Sequence, residues 1–509
     1  MTPLTALTVR GMRWTYLGTA AGLAVQLPYT VAMARLLSPA DFGLMAMAGL
    51  TLRLVDHFAR CGLSTAVVQR PALTQRDVRA VFTLAMATGT GGVTVLWCIA
   101  PYVTRLLQAS PELTSLSRVL GLSLLTTALG AVANGLLRRG MRYRTVALVD
   151  FVSYAAGYCG IGLTSALLGS GAWSLAHAAL GQSLSAALLS YLLVRHPVKP
   201  LFDLRAMRGV AGFGATVSVN GFLEFLTANF GGFVIGRCAG ATAAGLHNRA
   251  AYLTALPLEQ LSGAASKVLF PAFSRIQGQS GRLGAVYADC TALTTLLFLT
   301  LSAVIAASGD QLVAVLLGGQ WQGSAELVPV LALASALSLV VHFPAVLVEA
   351  MGAVGGKAVI QLVQLAVLVA GTAIALFLGC GVYGLVVVVL VGRLTEHALY
   401  CCWLNRLFPA ARRAVARAYA EAAAVAAVVW GAVWTIGRSL EGACPPTATL
   451  TAQLTAAGVL MLCCLRYGTG LCAVRVARER GLLPTVFRRK EHQFGRKEHE
   501  FGRKAQENA

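Results

Sequence analysis

Arg53, Asp56, His57 and Arg60 stand at i, i+3, i+4 and i+7 within one apolar stretch, which sets them along one helical face. The stripe carries two guanidiniums, one imidazole and one carboxylate. One Asp cannot neutralise two Arg, so the face stays net positive and suits an anion such as a diphosphate, which arginine grips bidentately. The competing reading is internal pairing, because Asp56 lies within helical reach of both arginines. A charge at the centre of a bilayer costs about 2.5–3.5 kcal/mol on insertion scales, so such residues face a cavity or each other.

Three further stretches carry polar stripes. Asn220, Glu224 and Thr227 share one face, and Asn248, Tyr252, Glu259, Ser262 and Ser266 share another, with Arg249 and Lys267 beside it. Gln26, Tyr29 and Thr30 lie near the N-terminus. The candidate substrate-binding set is therefore Arg53, Asp56, His57, Arg60, Asn220, Glu224, Asn248, Arg249, Glu259 and Lys267. Asp56 and Glu224 are the candidates for a coupling ion. Arg393, Glu396, His397 and Tyr400 also share a face, and Arg393 with Glu396 reads as an intrahelical pair.

Other chemistry is not indicated. The sequence has no GxxxxGKS/T, HExxH, GxSxG or DxD, and its 12 cysteines form no CxxC. No catalytic residue, metal set or cofactor is expected. The net charge of +21 would suggest nucleic acid in a soluble protein, but no zinc-finger spacing or aromatic-basic RNA motif accompanies it.

The elements that must position these side chains are membrane helices. Of 509 residues, 57% are hydrophobic and 12% charged, the latter about half the usual share. A soluble enzyme, a disordered chain and a disulfide-stapled secreted domain are excluded, and so is an outer-membrane barrel, whose strands would alternate polar and apolar residues. Fourteen helices are predicted near 13–36, 42–69, 78–101, 113–137, 145–168, 171–194, 209–236, 245–272, 284–308, 326–350, 358–379, 382–404, 418–437 and 449–467. Each is long enough to cross a hydrocarbon core of ~30 Å. The first is read as retained, with no small-residue cleavage site behind it.

About three quarters of the 41 Lys and Arg residues fall on one set of loops when the N-terminus is inside. This predicts both termini, and the 138–144 and 195–208 loops, on the cytoplasmic side. The opposite loops are short; the longest, about 309–325, includes Trp321. None could hold a catalytic domain, which argues against a membrane-embedded glycosyl polymerase.

An internal repeat is visible. Arg35-Leu-Leu-Ser-Pro-Ala-Asp-Phe-Gly43-Leu44 joins the first two helices, and Arg237-Cys-Ala-Gly-Ala-Thr-Ala-Ala-Gly245-Leu246 joins the seventh and eighth. Arg and Gly-Leu recur with an offset of 202 residues. A repeat of six helices keeps its orientation, as in transporters built from parallel repeats. The expected organisation is a six-helix bundle over 1–208, a second over 209–404, two added helices over 405–473 and a basic tail over 474–509. The tail repeats a heptad from Phe487, Phe494 and Phe501 with one apolar position in seven, so it is not a coiled coil.

Leu37-Ser-Pro-Ala-Asp-Phe-Gly43-Leu44, Gly62-Leu-Ser-Thr-Ala-Val-Val-Gln-Arg70 and Gly171-Ala-Trp-Ser174 resemble stretches of bacterial polysaccharide flippases. So do Gly245-Leu-His-Asn-Arg-Ala250 and Lys267-Val-Leu-Phe-Pro-Ala-Phe-Ser-Arg-Ile-Gln277, the most specific block. These flippases form the O-antigen and exopolysaccharide branch of the MOP superfamily, and the similarity runs over roughly residues 5–405.

The resemblance implies an all-α polytopic fold in which helices 1, 2, 7 and 8 line a central cavity. It implies an inner-membrane transporter that flips an undecaprenyl-diphosphate-linked oligosaccharide by ion-coupled alternating access. A polysaccharide polymerase and a chain-length regulator would be its partners, beside membrane lipids. The family often has an acidic residue in the stretch that here reads Phe58-Ala-Arg60-Cys61, and Asp56 is the carboxylate available instead. A cation-coupled multidrug exporter and a peptidoglycan lipid precursor flippase are the alternatives. The basic stripe speaks against the first, and the blocks at Asn248 and Val268 against the second.

Overall fold

The computed structural model describes residues 3–60, 74–201, 204–276 and 280–479, with side chains at 3–13, 15–16, 59–60, 204–220, 260–276, 280, 350 and 354 outside the description. Among the described residues the secondary structure is helical throughout. The long helices are α1 (Pro3–Leu36), α2 (Pro39–Arg60), α3 (Gln75–Leu106), α4 (Glu112–Arg139), α5 (Tyr143–Tyr154) and α6 (Ala172–Val194). They are followed by α7 (Leu204–Ile276), α8 (Ser280–Ala307), α9 (Val328–Ala350), α10 (Val354–Phe377), α11 (Gly381–Leu407), α12 (Arg412–Leu440), α13 (Pro446–Tyr467) and the short α14 (Cys472–Glu479).

Eleven helices among the described residues are long and apolar enough to span a membrane. The other three of the fourteen expected are α2 and the two arms of α7. The Arg53–Arg60 stripe lowers the hydropathy of α2. The arms of α7 meet at Gly240, whose φ of 80° and ψ of −174° break the helix. Only glycine adopts such a φ readily, so the chain turns where the second copy of the repeat has its glycine.

Helix starts follow the local sequence. Thr74 and Asp77 form a reciprocal capping box at α3. Ser38 and Asp41 do the same at α2: Asp41 Oδ2 accepts from the Ser38 amide at 2.9 Å, and Ser38 Oγ accepts from the Asp41 amide at 3.2 Å. Pro39 occupies the first helical position, where its missing N–H costs nothing.

The chain packs as two compact units. One comprises Met1–Pro257, Gly309–Ser335 and Gly352–Leu399; the other comprises Leu258–Ser308, Ala336–Met351 and Tyr400–Ala509. In the first unit, small residues let helices approach closely: a Cβ on Gly89 would meet Ala128, and one on Gly130 would meet Ala187. After α5 the chain winds as a π-helix over Ala155–Gly162. Gly157 and Gly162 there press against Gln182 and Ala178 of α6. In the second unit, Leu258, Phe298, Ala336, Val340 and Phe343 form one core cluster. Ala292, Leu296, Ala418, Ala422 and Val474 belong to another.

Candidate functional site

The repeat-related turns meet within the first unit. A Cβ on Gly43 would fall on the Ala241 carbonyl oxygen, and a Cβ on Gly245 on the Pro39 carbonyl oxygen. Pro39 and Ala241, like Gly43 and Gly245, correspond under the 202-residue offset. The contact is therefore reciprocal, with a local pseudo-twofold relation between α2 and the second arm of α7. Backbone-to-backbone crossings of this kind need glycine at the closest point.

Hydrogen bonds fasten this turn end on all sides. Asp41 Oδ1 accepts from the Ala172 amide at 3.0 Å, so one carboxylate caps both α2 and α6. Gly171, with φ of 53°, leaves room for it. Trp321 is fully buried and donates Nε1–H to the Ala34 carbonyl at 2.8 Å. Gln320 donates to Ala34 and Leu37 carbonyls at 2.7 and 3.1 Å. Together they satisfy carbonyls that the end of α1 leaves open. Ser324 donates to the Leu246 carbonyl at 2.9 Å. Arg35 donates to the Val315 carbonyl at 3.1 Å, and Arg237 to Gln108 Oε1 at 2.8 Å. Each repeat arginine thus ties its own turn to a segment of the other repeat: Arg35 to the short helix Gly309–Leu316, Arg237 to the α3–α4 connection.

Arg249 lies one turn beyond Gly245. Its guanidinium sits over the Phe42 ring at 4.3 Å and the Tyr252 ring at 5.0 Å. One of its N–H groups donates to Asn248 Oδ1 at 3.0 Å, while Nε is shielded from solvent and has no hydrogen-bond partner. Among the described residues it has no carboxylate partner. Gln26 donates to the Tyr252 hydroxyl at 2.7 Å. Tyr29 stands edge-on to Tyr158 at 5.1 Å and to Tyr154 at 6.2 Å, and those two rings stack at 4.5 Å. The Tyr29 hydroxyl is buried and unbonded. Tyr252, Tyr29 and Tyr158 all lie within electrostatic reach of Arg249. The π-helical turn sets the register that brings Tyr158 to Tyr29. Local winding of this type recurs at functional sites.

The α2 stripe divides between neighbours. Arg53 is exposed and has no carboxylate partner among the described residues. Asp56 lines a cavity of about 410 Å³ inside the first six helices, with Thr88, Thr126, Asn134, Arg138, Ser183 and Ser190. His57 turns to the first arm of α7, stacking on Phe225 at 6.4 Å and lying against Gly221. Glu224 pairs with Lys357 at 3.1 Å. Asn248 serves Arg249, and Glu259 is exposed in the second unit. The side chains of Arg60, Asn220 and Lys267 lie outside the described residues.

The expected Arg393–Glu396 pair is present at 2.9 Å, with buried Gln364 donating to the same carboxylate at 3.1 Å. Sequence reasoning passed over Tyr154, Tyr158 and Phe42. The two tyrosines at i, i+4, interleaved with Gly157, Gly160 and Gly162, were a usable signal, whereas Phe42 lay hidden within a turn motif.

Residues 32–326 match the model of a family described as polysaccharide biosynthesis protein. The chain belongs to that family. It is 28% identical over 343 residues to the succinoglycan biosynthesis transport protein ExoT of Rhizobium meliloti, covering 66% of this chain and 68% of the relative. It is 23% identical over 282 residues to the lipopolysaccharide biosynthesis protein WzxC of Escherichia coli, covering 54% and 56%. The teichuronic acid biosynthesis protein TuaB of Bacillus subtilis is 22% identical over 348 residues, covering 67% and 71%. In fold it is similar to the lipid II flippase MurJ in an inward closed conformation. That likeness has a TM-score of 0.67 and 10% identity, covering 89% of this chain and 97% of MurJ. An inward-facing MATE family multidrug transporter of the MOP superfamily gives 0.58 at 16% identity, covering 77% and 99%. The protein is a multi-pass membrane protein of MOP-type fold.

Proposed function

We propose that this protein is a transporter that flips a lipid-diphosphate-linked oligosaccharide, a repeat unit of lipopolysaccharide or exopolysaccharide, from the cytoplasmic to the periplasmic leaflet of the inner membrane. Arg249 carries the reading: a guanidinium without a carboxylate partner among the described residues, its Nε unsatisfied, set against the Phe42 and Tyr252 rings one turn below a tight helix crossing. A diphosphate must leave water to cross the bilayer, and fixed cations in a wet cavity replace its hydration. Arg249 and Arg53 are the described cations without carboxylates on α2 and on the second arm of α7, and Arg60 extends the α2 stripe. The names of ExoT, WzxC and TuaB support a polysaccharide precursor as substrate.

In this proposal both termini are cytoplasmic, from the distribution of Lys and Arg, and the Gly43–Gly245 crossing closes the periplasmic side. Bundles 1–208 and 209–404 exchange access by parting that crossing. Asp56, in its polar cavity, is the candidate coupling carboxylate; Glu224 is engaged by Lys357. A polymerase and a chain-length regulator would receive the product.

The test is complementation of surface polysaccharide in a flippase-null strain, with membrane abundance of each variant measured alongside. Arg249→Gln is expected to cut polysaccharide at unchanged abundance. Wild-type polysaccharide from Arg249→Gln, and likewise from the Arg53→Gln/Arg60→Gln double variant, would refute the anion site. If Asp56 carries the coupling ion, Asp56→Asn abolishes turnover; if it only balances charge, transport persists.

A further inference from the structure

The second unit carries a basic surface of its own. At one end of the α12–α13 hairpin, Arg406, Arg412, Arg413, Arg466 and Arg475 are all exposed. None of them has a carboxylate partner among the described residues. The opposite end differs: there Arg438 is paired with Glu441 at 2.9 Å. Among the described residues, the acids on the helices of this end are Asp289, Glu421 and Glu479. Glu421 is committed twice, to Arg417 at 2.6 Å and to the Cys472 amide at 2.6 Å, and Glu479 is exposed.

The surface is built rather than incidental. α14 is amphipathic, and its apolar face, Cys472, Ala473, Val474, Val476 and Ala477, is buried on the helices of this unit. Its apolar side is therefore spent on protein, not on membrane, and Arg475 is left outward. Glu421 caps the start of α14. Arg417 reaches the Gly470 carbonyl at 3.3 Å, and Arg478 reaches the Leu465 and Arg466 carbonyls at 3.2 and 2.8 Å. These bonds hold the starts of α12 and α14 and the end of α13 together, and so hold the arginines together.

The apolar neighbours identify the occupant. Arg466 lies over the Tyr467 ring at 5.8 Å, and Tyr467 is 72% exposed. One turn further into α13, Leu462 is 52% exposed, and Leu407 beside Arg406 is 48% exposed. Arg466 and Arg406 thus stand beside exposed leucines and an outward tyrosine. Leu462 lies on a helix long and apolar enough to span a membrane, so its face already meets lipid chains, and an acidic partner confined to water would touch the arginines alone. A phospholipid covers both, with its headgroup at the arginines and Tyr467 and its chains along Leu462.

We infer that this end of the second unit is a binding site for anionic phospholipid, formed by Arg406, Arg412, Arg413, Arg466 and Arg475. It does not depend on what the protein transports. The full-length protein, purified in detergent, is mixed with phosphatidylglycerol or phosphatidylcholine, and bound lipid is counted by native mass spectrometry. Wild type is expected to retain phosphatidylglycerol over phosphatidylcholine by on the order of tenfold. The Arg412→Gln/Arg413→Gln/Arg466→Gln variant should lose most of that preference. The same three positions changed to Lys keep the charge and should keep the lipid. Arg438→Gln, at the paired end, should change nothing. A chain ended after Leu482 should retain the preference, because the site precedes the basic tail. Full preference in the Gln variant, loss in the Lys variant, or loss on removing the tail would each overturn the assignment.

Discussion

The turn end of the first unit and the aromatic cluster around Arg249 one helical turn below it are built on opposite principles. At the turn end the motif side chains are engaged: Asp41 caps two helices, Trp321 and Gln320 close the end of α1, and Arg35 and Arg237 each hold a partner from the other repeat. In the cluster, Arg249 Nε and the Tyr29 hydroxyl are buried without partners among the described residues. A buried donor left unmatched costs about 1–3 kcal/mol, and in the proposed reading the transported anion supplies the partner for Arg249. The lesson is that the blocks most recognisable in the sequence fasten a tight helix crossing. The group that would grip an anion sits beside them.

The crossing itself offers the largest effect. Gly43→Val or Gly245→Val would set a branched side chain where a carbonyl oxygen now lies, and overpacking of this kind costs about 1–3 kcal/mol when the backbone must shift. If closure at this end is part of the cycle, either variant reaches the membrane and fails to restore surface polysaccharide. Restoration to wild-type levels by both would show that the crossing need not form, and the comparison would lose its first half.

Arg249 probes the other half. A hydrogen bond to a charged group is worth about 1.5–3 kcal/mol, so Arg249→Gln should lower transport roughly 10- to 100-fold at constant abundance. Arg249→Lys keeps the charge but not the fork, and should recover part of the loss. A variant that lost abundance together with activity would instead assign Arg249 to the packing of Phe42 and Tyr252.

Much of this is legible in the sequence. Continuous apolar runs gave the spans, and glycine at matched positions gave the repeat. The fourteen expected helices correspond to the eleven recognised spans plus α2 and the arms of α7. The stripe at Arg53–Arg60 was visible as a face of one helix, but periodicity does not say what surrounds a face. Asp56 and His57 differ by about 100° around a helix with 3.6 residues per turn, enough to send one into the cavity lined by α2, α3, α4 and α6 and the other to Phe225. The pairing of Glu224 with Lys357, 133 residues away, leaves no trace in local sequence. Neither does the π-helical winding that gathers the tyrosines.

Asp41 gives a smaller and more structural effect. Removing a capping side chain costs about 1 kcal/mol, and Asp41 serves two helix starts, so Asp41→Ala should lower stability by ~1–2 kcal/mol. The measurement is thermal unfolding of the purified protein. Asp41→Asn keeps an acceptor and should fall between the two. An Asp41→Ala melting curve identical to wild type would mean that the turn end is held without its caps, and that its hydrogen bonds are not what distinguishes it from the aromatic cluster.

The smallest effect is the sharpest test of the repeat. Arg35 and Arg237 occupy corresponding positions, and each donates one hydrogen bond from an exposed site. Exposed polar contacts of this kind contribute up to about 1 kcal/mol. Arg35→Gln and Arg237→Gln should therefore each reduce polysaccharide modestly and by similar factors. The double variant should show roughly the product of the two, since the partners, the Val315 carbonyl and Gln108, are different groups. Gln108→Ala should match Arg237→Gln and add nothing to it, because both remove the same bond. If Arg35→Gln were silent while Arg237→Gln abolished transport, the two copies of the turn would have diverged in role. The pseudo-twofold relation at Gly43 and Gly245 would then describe the packing at this end without describing how it opens.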